Sequence, residues 1–332
     1  MNLIGTIIII LLAAYLFTSL GRKIRIPIVV SLIFCGLVLD MPAVKGLVIE
    51  PNTGFIFGLG DIALLCLMFL AGLESSWRGI YKERKDAILI AFFAALVPFL
   101  AGFVAFMMMG FSLHISFIVG VCMSITAEAT KARVLMELKK LRTKVGAAMM
   151  GAGIIDDILG FSLFILITYI FKEAYIREDM LIAGALISFL IGILVQKNVG
   201  REHTAVKSAE KVLLRVMVPF FFISIAIHFD MNSLVVNPVL LMSIIVIAIA
   251  GKMAGTFLTK PFTKFRWKQL YLIGWAMNSR GAVEMALALI AFRTKIIPLE
   301  LYSSLVLMAL VTTLIFPFMI MKMIRKDPKI MD

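Results

Sequence analysis

The 332 residues are written as a succession of apolar runs, and the polar stretches between them are too short to build anything else. Eleven runs can be read, roughly 2–20, 26–42, 54–73, 86–109, 113–136, 145–171, 179–196, 212–228, 235–258, 268–292 and 301–322. A helix needs about 20 apolar residues to cross the hydrocarbon core of a bilayer. Inside lipid, every backbone polar group must find its partner within the protein. The pattern therefore predicts an all-α polytopic membrane protein, a single transmembrane unit over residues 1–332 with about 11 transmembrane helices. Composition agrees: 62% of residues are hydrophobic and 16% charged, with a mean hydropathy of +1.05. No soluble domain is expected within it.

The distribution of basic residues gives an orientation. If alternate loops and the C-terminus face the cytoplasm, those segments hold 24 of the 33 Lys and Arg, and the outer loops hold five. Positive charge accumulates on the cytoplasmic side of membrane proteins. The expectation is a cell-membrane, multi-pass protein with its N-terminus outside and its C-terminus in the cytoplasm. The net charge of +13 is accounted for by these loops, so no nucleic-acid partner is expected. Cys35, Cys66 and Cys122 lie in apolar surroundings without metal-ligand spacing and read as packing residues.

Two runs are interrupted. The fifth contains Ser124-Ile125-Thr126-Ala127-Glu128-Ala129-Thr130-Lys131, and the tenth contains Asn278-Ser279-Arg280-Gly281 with Glu284 following. Polar interruptions at corresponding places in two halves are the sequence sign of inverted repeats with broken helices whose ends face a midplane site. Between them lies the pair Asp156-Asp157, inside the apolar stretch 145–171. Intramembrane carboxylates are costly and mark ion or proton pathways. Neighbours on a helix point about 100° apart, so both can border one cavity without facing each other as a catalytic dyad. A carboxylate there holds a dehydrated cation or a proton by turns, which is the minimum machinery of an antiporter. Lys252, within Gly251-Lys252-Met253-Ala254-Gly255, needs a counter-charge, and Asp156 or Asp157 can supply it. Arg280 with Glu284 (i, i+4) and Glu128 with Lys131 (i, i+3) are spaced to satisfy each other within one helix.

Several stretches, taken in order, resemble one family. They are Phe69-Leu70-Ala71-Gly72-Leu73-Glu74, Ala132-Arg133-Val134-Leu135-Met136-Glu137-Leu138, Ile154-Ile155-Asp156-Asp157-Ile158-Leu159-Gly160, Pro219-Phe220-Phe221-Phe222, Gly251-Lys252 and Ser279-Arg280-Gly281-Ala282-Val283. Together they are similar to the NapA/Kef-type branch of the monovalent cation/proton antiporters. The resemblance implies two crossed broken helices in a core, here 86–171 and 235–322, beside a dimerisation scaffold, here 1–73 and 179–228. It implies that Asp157 is the principal carrier of Na⁺ and H⁺, that Asp156 pairs with Lys252, and that Thr126, Glu128, Thr130, Lys131, Arg280 and Glu284 are accessory.

The expected function is secondary exchange of Na⁺ (or Li⁺) for H⁺ by an elevator-type mechanism, electrogenic, in a homodimer embedded in the bilayer. No cofactor beyond the transported ions and no enzymatic activity are expected. The alternatives are K⁺/H⁺ exchange or a Kef-like K⁺ efflux pathway, and a non-transporting membrane sensor subunit. The chain departs from the family pattern in three ways. About two spans are missing between the sixth and eighth runs. Charged Glu128 and Lys131 stand in the first break, and Ala282 stands where the family often has a glutamate.

Overall fold

The computed structural model describes residues 2–24, 26–74, 84–141, 143–170, 176–200, 203–232 and 237–332; some side chains within these ranges, Asp157 among them, lie outside the description. All the regular secondary structure described is helical. In chain order the helices are α1 (Leu3–Lys23), α2 (Ile28–Leu39), α3 (Pro42–Val48), α4 (Thr53–Glu74) and α5 (Arg84–Met108). They continue with α6 (Leu113–Ser124), α7 (Glu128–Glu137), α8 (Lys144–Ile170), α9 (Ile176–Asn198) and α10 (Thr204–Val212). The last are α11 (Val218–Ile227), α12 (Pro238–Leu258), α13 (Trp267–Met277), α14 (Ala282–Arg293) and α15 (Leu299–Lys326).

Local signals start and stop them. Asn2 caps α1 through Gly5 N (3.0 Å), Ser112 caps α6 through Ile115 N (3.4 Å), and Asn237 caps α12 through Leu240 N (3.1 Å). Such side chains satisfy amides that the first turn leaves without a partner. Arg22 and Lys23 end α1, where the helix dipole favours cations.

The apolar runs are helical, but they are not all of spanning length. Among the described residues, five stretches are long and apolar enough to cross a membrane: Leu3–Lys23, Pro42–Glu74, Lys85–Met108, Pro238–Leu258 and Leu299–Lys326. The run at 26–42 holds the 12-residue α2, bounded by Pro27 and Asp40. At 1.5 Å per residue it reaches about 18 Å, against a hydrocarbon core of about 30 Å. The run at 212–228 is a π turn, Leu213–Met217, leading into α11. The runs at 113–136 and 268–292 are each two short helices end to end.

The chain divides into two units, one of residues 1–75 and 176–229, the other of residues 76–175 and 230–332. In the first, small residues let backbones touch. A Cβ on Gly72 of α4 would lie 3.0 Å from Gly192 Cα of α9, and one on Gly192 would lie 2.9 Å from Gly72 Cα. Gly36 of α2 meets Ala226 and Ile223 of α11 in the same way. Membrane helices associate through such packing because lipid supplies no hydrophobic drive between them.

In the second unit, Gly251 of α12 lies against Pro98 of α5, and Gly255 lies against Phe93 and Ala94. These contacts fix the face of α12 that carries Lys252. A buried cluster gathers Ile90 and Ala94 of α5, Val145 and Met149 of α8, Leu270 and Ile273 of α13, and Phe316 and Ile320 of α15. The final residues Ile330 and Met331 join it. They are held there because Gln269 donates to Ile330 O (3.1 Å) and Lys140 donates to Pro328 O (3.2 Å).

Candidate ion-binding site at the helix crossing

Both interruptions predicted from the sequence are breaks in helices. Ile125 to Ala127 run extended between α6 and α7, with ψ of 147° at Ile125 and 122° at Ala127. Asn278 to Gly281 separate α13 from α14. The breaks meet: Ala127 N donates to Ser279 O (2.8 Å), and Ser279 Oγ donates to Ala127 O (2.8 Å). Gly281 makes the crossing possible, because a Cβ there would sit 2.5 Å from Ala127 Cβ. Thr313 of α15 holds the second break by donating to Arg280 O (2.9 Å).

Asp156 of α8 and Lys252 of α12 reach this crossing. Lys252 Nζ lies 3.0 Å from Asp156 Oδ2, and neither side chain is exposed at all. The lysine donates as well to Thr126 Oγ1 (2.7 Å) and to the carbonyl of Ser124. All three ammonium hydrogens are thus directed into protein. The Thr126 hydroxyl has Asp156 Oδ2 and Met277 O (3.2 Å) as acceptors. It stands between lysine, aspartate and the end of α13. Asp156 Oδ1, though buried, accepts no hydrogen bond from any described residue. Asp157 follows in α8, and its side chain lies outside the described residues.

Arg280 does something its spacing to Glu284 does not announce. Its guanidinium donates to Cys122 O (3.2 Å), Ile125 O (2.5 Å) and Met123 O (2.5 Å), and it also makes the expected ion pair with Glu284, at 3.6 Å, too long for a hydrogen bond. The carbonyls of Cys122, Met123, Ser124 and Ile125 are therefore all taken by Arg280 or Lys252. A broken helix leaves its last carbonyls without partners and a partial negative charge at that end. Two cations from the other half of the sequence answer both. Glu284 lies in the first turn of α14, where the opposite end of a helix dipole favours a carboxylate.

The remaining accessory residues divide. Lys131 is buried, and its Nζ donates to Met149 O of α8 (3.2 Å) and contacts Met277 Sδ (3.7 Å). Glu128, also buried, lies in the first turn of α7. Thr130 is half-buried on α7. Sequence reasoning passed over the backbone carbonyls of residues 122–125, the Ser279–Ala127 link and the Thr313 anchor. The polar interruption located the break, but nothing in it says that Lys252 turns to a carbonyl as well as to an acid.

One regularity ties the site together. Among the described residues, the buried charged side chains are Glu128, Lys131, Asp156, Lys252, Arg280 and Glu284. Three are acidic and three basic, all in the second unit. Asp157, whose side chain lies outside the described residues, is not counted among them.

The comparisons with known proteins bear on this arrangement. A family model described as "Sodium/hydrogen exchanger, transmembrane" matches residues 7–182 and 161–326. The chain belongs to the sodium/hydrogen exchanger family. It is similar to the Na(+)/H(+)-K(+) antiporter GerN of Bacillus cereus, at 24% identity over 95% of this chain and 94% of that protein. It is also similar to a Na(+)/H(+) antiporter of Enterococcus hirae, at 23% identity over 96% of this chain and 97% of that one. Among solved structures, the sodium proton antiporter MjNhaP1 from Methanocaldococcus jannaschii shares the fold. The TM-score is 0.68 at 15% identity, covering 97% of this chain and 96% of that one. As a family member this is a multi-pass membrane protein, and its membrane is a lipid bilayer.

Proposed function

We propose that this protein is a secondary cation/proton antiporter, with Na⁺ (or Li⁺) and H⁺ taking turns at Asp156 and Asp157. One observation carries the reading: among the described residues the buried charges of the second unit balance three against three, with Asp157 left out of the count. On the exchange reading, in which Asp157 shares the site, one negative charge is in excess, and a single monovalent cation or a proton neutralises it. A divalent ion would overcharge it. The names of the similar proteins from Bacillus cereus and Enterococcus hirae point the same way. Asp157 is the principal carrier, and Asp156 offers the cation its unbonded Oδ1.

The Lys252–Asp156 pair supplies the coupling. A cation drawn to Asp156 competes with the ammonium for the same carboxylate, so its arrival favours release of the lysine proton in addition to the proton it displaces from Asp157; two protons then leave for each cation, and exchange is electrogenic. Residues 86–171 and 235–322 form the moving core, residues 1–73 and 179–228 the dimerisation scaffold, and the core moves as an elevator in a homodimer. The excess of Lys and Arg in alternate loops places the N-terminus outside and the C-terminus in the cytoplasm.

The test uses proteoliposomes with a pH-sensitive dye in the lumen. An inward Na⁺ gradient is expected to drive protons out through the wild type and not through Asp157→Asn. Wild-type rates in that variant overturn the reading. K⁺ replaces Na⁺ in a parallel assay, because one similar protein is a Na(+)/H(+)-K(+) antiporter. K⁺ flux without proton movement would instead identify an efflux pathway.

A further inference from the structure

The exchange scheme uses Asp156, Asp157 and Lys252, and the breaks use Arg280. Lys131 enters only the charge count: it is a buried ammonium on α7 that makes no contact used in either. Its placement is specific. Nζ donates to the carbonyl of Met149 on α8, and both Nζ and Cε lie against Gly153, three residues before Asp156 on the same helix. Three residues advance a helix by about 4.5 Å. A Cβ on Gly153 would stand 3.3 Å from Lys131 Cε and 3.0 Å from Glu128 Oε2, so the missing side chain is the notch that admits both. On its other side the ammonium touches Met277, whose carbonyl is one acceptor of the Thr126 hydroxyl, as is Asp156. A unit charge is therefore seated close to Asp156 in packing that excludes solvent. In such surroundings charges act strongly on one another at that range.

We propose that Lys131 is an affinity-setting residue, a resident positive charge that holds down the attraction of Asp156 and Asp157 for a monovalent cation. Without it the described buried acids would outnumber the bases by one, before Asp157 is counted, and a cation that entered would be released slowly. Glu128, beside it at the Gly153 notch, tempers the same charge. The inference rests on the exchange reading and names what sets the working range of that site.

The experiment measures initial exchange rates against Na⁺ concentration in proteoliposomes of the full chain, at fixed alkaline pH. Lys131→Met keeps the length and apolar stem of the side chain but removes its charge. Its KM for Na⁺ is expected to fall about tenfold, with Vmax lowered as release slows. Lys131→Arg is expected to keep the wild-type KM. Glu128→Gln is expected to raise KM by a similar factor, and decides the matter should Lys131→Met fail to fold. A residue that merely joined α7 to α8 would lose Vmax and stability without lowering KM. An unchanged or raised KM in a folded Lys131→Met, or an unchanged KM in Glu128→Gln, overturns the proposal. Absence of Na⁺-driven proton movement in the wild type would overturn the exchange reading and this inference with it. Intact exchange with an unshifted KM sinks this inference alone.

Discussion

The two units solve the problem of burying helices in opposite ways. In the first unit the buried polar side chains among the described residues are Thr6, Ser31 and Ser224, and none is charged. Its helices close through bare backbone, as at Gly72 against Gly192. The second unit uses glycine contacts too, at Gly251 and Gly255, but it also buries six charged side chains around two broken helices. Close packing tolerates little change of shape yet is indifferent to voltage and pH. Buried ion pairs are the reverse: they stabilise little overall, but they respond steeply when one partner is lost. The difference is between a unit closed by shape alone and one that also buries charge.

That contrast can be broken by substitution. The largest effect is expected from Lys252→Met alone, which leaves Asp156 buried without its counter-charge. Melting of the purified protein in detergent should show a loss of about 3–5 kcal/mol. Adding Asp156→Asn should recover most of it, because removing both charges of a buried pair is close to neutral. Failure of the double variant to recover would mean that the pair does not carry the instability. Next comes Gly72→Ala in the first unit. The new methyl meets the backbone of α9, and a cost of about 1–3 kcal/mol is expected, with the KM for Na⁺ unchanged. A shifted KM there would erase the distinction between the units. The smallest effect belongs to Arg133→Ala, which opens an exposed i, i+4 pair with Glu137 at 3.2 Å. Surface pairs of that kind contribute about 0.5 kcal/mol or less, so a melting curve should barely move.

The sequence made much of this legible because membrane folding obeys few rules. Apolar runs of bilayer length have one stable use, and Ser124–Lys131 and Asn278–Gly281 stand out within them. The all-helical fold and the two breaks could therefore be read directly. The boundaries of spans were less legible. Pro27 and Asp40 shorten the second helix to 12 residues, and a hydropathy scan does not weigh a single proline. Least legible were contacts to backbone. Arg280 reads as the partner of Glu284 four residues on, yet it spends its hydrogen bonds on Cys122, Met123 and Ile125. A carbonyl made available by a distant break leaves no letter in the sequence. The family model likewise matches in two pieces that overlap at 161–182. That is the region where the run pattern reads two spans short.

The paired bonds between Ala127 and Ser279 have a mechanical consequence. They act as a rivet through the point where the two interrupted rods cross, and Gly281 leaves no slack around it. Pivoting either rod at its own gap would break both bonds, at a cost of about 1 kcal/mol each. The elevator movement proposed above would leave them unbroken, since it carries the crossing as one block.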